Sequence, residues 1–225
     1  MKVPIVFRLV LKDWYLQRVA IALLLGGSIL AGILAAIPNP VGFSIGLSLT
    51  MCVLIALTFY LPLTTVIGER TTKTLPFTMS LPVSPAEYTL SKILANLLLY
   101  LIPWGVAAGS FALILRAGSI QAAYVPAGYI DILLVGFLVA FMFVLGFAII
   151  FESTGWTISL IVILMFLVGN VGTQIVPRLP AAHEFLTAAG QRGPEYFLTL
   201  GGELVLILLL MVLTFLVQSR KRDFL

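Results

Sequence analysis

Residues 129–151 read YIDILLVGFLVAFMFVLGFAIIF, and Asp131 is their only charged residue. An α-helix rises 1.5 Å per residue, so roughly 20 apolar residues cross the ~30 Å hydrocarbon layer of a bilayer. A run this long and this apolar predicts a membrane-spanning helix. Working outward, similar runs recur along the whole chain. They predict six spans, at about 19–37, 41–67, 93–115, 129–151, 156–176 and 198–217.

Composition agrees. Of 225 residues, 61% are hydrophobic and 10% charged, against about 25% charged in an ordinary soluble domain. Six spans use more than half of the chain and leave no room for a sizeable soluble domain. The expected fold is all-α and integral to the membrane, one transmembrane domain over residues 1–225. The breaks between spans carry helix-breaking residues. Pro38-Asn39-Pro40 separates the first two, Pro62 interrupts the second near its end, and Glu152-Ser153-Thr154-Gly155 forms a very short turn.

Residues 3–18 precede the first span. Phe7, Val10, Leu11 and Trp14 recur at helical spacing, with Arg8, Lys12, Gln17 and Arg18 mostly elsewhere on the wheel. This predicts an amphipathic helix lying in the headgroup region. It does not read as a signal peptide, because the apolar core begins late and is too long.

Net charge is +4, and the cations are unevenly shared. With both termini on one side, that side holds Lys2, Arg8, Lys12, Arg18, Arg70, Lys73, Lys92, Arg220, Lys221 and Arg222. The other holds Arg116, Arg178 and Arg192, which together account for all 13 Lys and Arg. The positive-inside rule then predicts a multi-pass protein of the cell membrane with both termini cytoplasmic. The positive charge is read as membrane flanks, not as a nucleic-acid surface.

Chemistry-bearing motifs are scarce. No G-x-x-x-x-G-K-[ST] occurs, so the chain has no phosphate-binding loop of its own. His183 and Glu184 begin like a zinc-binding H-E-x-x-H but lack the second histidine, and no metal site is expected. Cys52 reads as a small apolar filler. Asp131 and Glu203 sit near the outer ends of spans four and six, and Glu203 is the candidate for a place in a translocation path. Gly105 and Gly109, at four-residue spacing, suit close helix packing within the chain or a contact with a second copy.

The most polar stretch is 68–92. It is too apolar for a solvated linker, with Leu75, Phe77, Met79, Leu81 and Val83, and too short for a domain. Ser84-Pro85-Ala86-Glu87 reads as a capping box: Ser at the N-cap, Pro at the first helical position, Glu at the third. Val83 and Tyr88 are spaced for a hydrophobic staple. The third helix is therefore expected to begin in the cytoplasm near Ser84. Upstream, Pro76 and Pro82 bracket a short segment suited to a helix across the cytoplasmic face, with apolar residues for a partner.

Glu69, Thr74-Leu75, Ser80-Leu81-Pro82-Val83-Ser84, Glu87 and Lys92 together resemble the corresponding loop of ABC-2-type exporter permeases. The sequence is most similar to compact bacterial permeases of the phenol-soluble modulin and peptide exporter kind. The layout agrees over the whole chain, and the specific motif covers this loop alone. The resemblance implies a single permease domain moving an amphipathic or hydrophobic substrate (peptide, lipid or drug) outward. It implies cytoplasmic ATPase subunits that carry ATP and Mg, with no cofactor and no catalysis in this chain. It also implies a coupling helix in 68–92 and a second permease copy or a related permease, all in membrane lipid. Carried over residue by residue, Glu69, Arg70, Thr72, Lys73, Leu75 and Phe77, with Glu152 and Ser153 of the short second loop, would face the ATPase. Ser84, Pro85 and Glu87 would shape the helix start. The outer loop 177–197, with a surface helix over 180–189, would gate the path. A non-transporting membrane scaffold or assembly factor and an integral-membrane enzyme are the alternatives, and the sequence supplies no catalytic residues for the latter.

Overall fold

A computed structural model of the chain describes residues 3–71, 84–116, 127–170 and 194–220. Among these residues all regular structure is helical. The first helix, α1 (Val3–Ala36), has 34 residues, about 51 Å of rise. The expected surface helix and first span are thus one continuous element. Its faces differ in what they meet. Val6, Leu9, Asp13, Gln17 and Ile21 are buried, while Phe7, Leu11, Trp14, Tyr15 and Leu16 point outward. In lipid the apolar residues can stay outside, and polar groups are the ones that need partners in the protein.

Asn39 ends the turn after α1, and its side chain accepts the Gly42 N–H to cap α2 (Pro40–Pro62). Pro40 stands at the first helical position, where a missing N–H costs nothing. Pro62 has no N–H to continue the ladder. The helix answers with a π turn, Leu63–Ile67, closed by the Gly68 N–H on the Leu63 carbonyl. Helix α3 (Gly68–Thr71) follows directly.

The remaining helices are α4 (Pro85–Arg116), α5 (Ala127–Phe151), α6 (Thr154–Asn170) and α7 (Pro194–Ser219). Among the described residues five segments are long and apolar enough to cross a membrane: α1, α2 with its π extension, α4, α5 and α7. Helix α6 has 17 residues, about 25 Å of rise. Positions 171–176 of the expected fifth span lie outside the described residues, as does the expected surface helix over 180–189.

Cross-contacts set the directions. Helices α5 and α7 run parallel. Tyr196 donates to Asp131 at one end (2.9 Å), Glu203 lies against Gly136, Thr214 against Gly146, and Gln218 donates to Glu152 at the other end (2.6 Å). Two parallel neighbours require the chain between them to return across the bundle, and α6 begins that return. Helices α1 and α4 are likewise parallel, matched by Asp13 with Lys92 and by Gly32 with Ser110.

Lipid provides no hydrophobic force between helices, so close packing and polar contacts hold them. Tyr100 stacks on Phe141 with centroids 4.1 Å apart, among Leu57, Leu61, Ile93 and Leu145. Trp104 donates from α4 to the Leu134 carbonyl of α5 (2.8 Å). Thr50, Thr58 and Thr214 return their hydroxyls to the carbonyl four residues back, which satisfies a polar group without a neighbour.

Candidate functional site

One end of the bundle concentrates the buried charge. Asp13 comes from α1, Glu69 from α3 and Lys92 from the second turn of α4. Lys92 Nζ lies 2.8 Å from Asp13 Oδ2 and 2.9 Å from Glu69 Oε1. Lys92 is 2% exposed and Asp13 3%, so neither charge can rely on water. Lys12 pairs with Glu69 and sits 3.7 Å from Asp13, with its side chain 38% exposed. The Tyr88 hydroxyl donates to the other oxygen of Glu69 (2.9 Å). Two ammonium groups thus meet two carboxylates with no net charge. A buried ion pair is tolerated only with such satisfaction.

The local sequence explains the convergence. The π turn after Pro62 carries Glu69 round toward α1 and α4. On α4, Ser84 and Glu87 cap the helix reciprocally: the Ser84 N–H donates to Glu87 Oε2 (3.0 Å) and the Glu87 N–H to Ser84 Oγ (3.3 Å). That fixed start aims Tyr88 and Lys92, one turn apart, at Glu69. Deeper in, Asn96 donates to the Lys92 carbonyl and accepts from Thr65 of the π turn, both at 2.8 Å. Gln17 accepts from the Tyr60 hydroxyl (2.9 Å). A polar seam therefore ties α1, the end of α2 and the start of α4 into one unit.

Burial acts to raise the Glu69 carboxyl, but the Lys92 charge, the hydrogen bonds from Lys12 and Lys92 and the Lys12 charge outweigh it. The net effect holds Glu69 below the ordinary glutamate range. A carboxyl depressed on folding stabilises fully above its unfolded value, and that contribution is lost as pH falls through the folded one. Acid titration of thermal stability should show a loss below about pH 4 that Glu69→Gln flattens.

Beside the cluster, a small cleft is lined by Val66, Tyr88, Thr89, Lys92, Ile149, Glu152 and Gln218. Glu152 ends α5 in the left-handed region, φ 58°, a conformation that glycine adopts more cheaply. Its side chain accepts from Gln218 Nε2, a bond glycine could not supply. The same end of the bundle thus gathers α1, α2, α4, α5, α6 and α7.

A family model described as an ABC-2 family transporter protein matches residues 8–220. The chain belongs to the ABC-2 transporter family. Searches of curated proteins and of solved structures return no match. Membership identifies this ABC-2 chain as a membrane component of an ABC transporter, a kind of subunit that partners with ABC ATPases and is generally not catalytic itself. With its apolar helices it is a multi-pass membrane protein.

The site residues expected from the sequence fall in different settings in this ABC-2 chain. The Glu69 side chain is turned inward and held by Lys12, Lys92 and Tyr88. Arg70 belongs to α3 with its side chain outside the described residues; Thr72, Lys73, Leu75, Phe77 and Val83 lie outside them altogether. Glu152 and Ser153 form the turn between α5 and α6, partly buried, and Ser84 is exposed above a buried Glu87. Gly105 and Gly109 face outward with nothing within 4 Å of a Cβ built on them. Glu203 lies partly buried against α5. Among the described residues no three His, Cys, Asp or Glu side chains come together as metal ligands.

Sequence reasoning missed Asp13 altogether, read Lys12 as a headgroup cation and counted Lys92 among the cytoplasmic cations of the 68–92 loop. The available signal was acids and cations lying toward the same end of three separate helices.

Proposed function

We propose that this chain is the permease subunit of an ABC exporter, moving an amphipathic or hydrophobic cargo outward across the cell membrane. Separate cytoplasmic ATPase subunits bind and hydrolyse ATP with Mg, and this chain needs no cofactor of its own. The observation that carries the reading is the anchoring of both ends of segment 72–83. On one side it leaves α3, whose Glu69 is locked into the ion-pair cluster; on the other it enters the capped start of α4. A partner engaging this segment works directly on α1, α2 and α4. Such a partner shifts the permease between access states only through contacts that differ between them.

The return crossing demanded by the parallel α5 and α7 supports six spans. An even number, with the cation bias, supports both termini and the charged end in the cytoplasm. The open face at Gly105 and Gly109 suits close approach by a second permease copy or a related one.

The test is co-purification with the cognate ATPase and ATP-driven transport in proteoliposomes. Leu75→Asp and Phe77→Asp should each lower complex recovery and coupled transport at least about tenfold, on the scale of an interface anchor worth more than 1.4 kcal/mol. Thermal unfolding of the permease alone should stay unchanged. Unaltered coupling in both variants would sink the assignment of this segment to the ATPase. Glu69 is a poor probe here, because its loss also breaks the cluster.

A further inference from the structure

Helix α7 is the least buried of the five long apolar segments. Between Tyr196 and Gln218 it carries one charged residue, Glu203. Glu203 stands seven residues past Tyr196, about 10 Å along the helix, inside the membrane-crossing stretch. Its Oε2 is enclosed and has no hydrogen-bond partner among the described residues. Its Oε1 lies 3.4 Å from the position a Cβ on Gly136 would occupy. That is an ordinary contact distance, so the carboxylate rests against α5 beside Gly136. On the same helix, Gly201 and Gly202 have nothing within 4 Å of their Cβ positions.

Charge completes the argument. Neither α5 nor α7 contains a lysine or arginine. The nearest acid on the facing helix, Asp131, accepts from Tyr196 nearer the outer end. An ionisable group within the membrane is costly in lipid and is found facing a protein interior or a cavity, with a partner. Neither helix provides a cation for Glu203.

We propose that Glu203 binds a positively charged group, a primary ammonium or guanidinium, on an amphipathic cargo entering the α5/α7 seam. This rests on the permease reading, which supplies a cargo to that seam. A carboxylate is an acceptor-only group with a strong preference for charged donors. The apolar flanks of α5 and α7 would take the tail of such a molecule.

The probe is dodecane-1,12-diamine dansylated at one end, leaving one primary ammonium, with its N-acetylated counterpart as control. Binding is read by fluorescence anisotropy to the full-length permease in phosphatidylcholine nanodiscs, with empty discs subtracted. Glu203→Gln should weaken saturable binding of the amine about tenfold or more, the scale of a charge-assisted hydrogen bond. Glu203→Asp should recover part of it, and the acetylated probe should bind wild type and Glu203→Gln alike. Equal amine binding by wild type and Glu203→Gln, or an equal loss with the acetylated probe, overturns the proposal. Phosphatidylethanolamine is then added to the discs. If it displaces the probe from wild type, a lipid headgroup holds the site and the cargo assignment is wrong; no displacement supports the cargo. The ATPase is absent from this assay, so its outcome and that of the coupling test fail independently.

Discussion

Replacing Lys92 with methionine should destabilise the permease by about 3–5 kcal/mol, the usual penalty for breaking a buried ion pair from one side. Methionine preserves the apolar stem and removes only the ammonium. Asp13, 3% exposed, is left with Lys12 at 3.7 Å, and Glu69 loses one of two cations. Lys12→Met is the matched control. That side chain is 38% exposed, solvent screens it, and about 0–1 kcal/mol is expected. Unfolding in mixed micelles, followed by helicity against denaturant, measures both. The double variant Asp13→Asn with Lys92→Met should recover part of the loss, because no uncompensated carboxylate then remains at position 13. Equal effects of Lys92→Met and Lys12→Met would mean that the cluster is solvated in the working protein.

The same cluster shows where the sequence stops being informative. The apolar runs are local, and five of them coincide with helices long enough to cross a membrane. Caps are local too. Ser84 and Glu87 lie three residues apart and bond each other, so their pattern needs no tertiary information. Pro62 is legible as an interruption, although its resolution into a π turn is not. Asp13, Glu69 and Lys92 come from three separate helices, and only the tertiary fold tells which cation meets which acid. The 3–18 region is limited in a related way. Its periodicity is local, but its continuity with the first span in one helix, Val3–Ala36, and the burial of Asp13 and Gln17 against other helices are not. Glu203 was visible as an isolated acid; that it rests against α5 beside Gly136 was not.

The second large effect is expected where no charge is involved. Gly46→Leu should destabilise the α1–α2 hairpin by about 3 kcal/mol, the upper part of the overpacking range, and Gly46→Ala by about 1–3 kcal/mol. A Cβ at Gly46 would come 2.6 Å from both the Ala31 carbonyl oxygen and the Ala35 Cβ. Backbone atoms cannot rotate out of the way, so the two helices would have to separate. Gly105→Ala and Gly109→Ala give the contrast. Each adds a methyl into open space, and the isolated permease should gain up to about 1 kcal/mol from the better helix propensity of alanine. All four variants make the chain more apolar, so an argument from hydrophobicity predicts the same sign for each. Close approach in lipid predicts opposite signs for Gly46 and for the outward glycines. Unfolding measured on the permease alone decides between them, and Gly46→Ala as stable as Gly105→Ala would refute the close contact of α1 with α2. A gain at Gly105 or Gly109 in the isolated chain accompanied by weaker self-association would in turn locate the contact with a second copy on that face of α4.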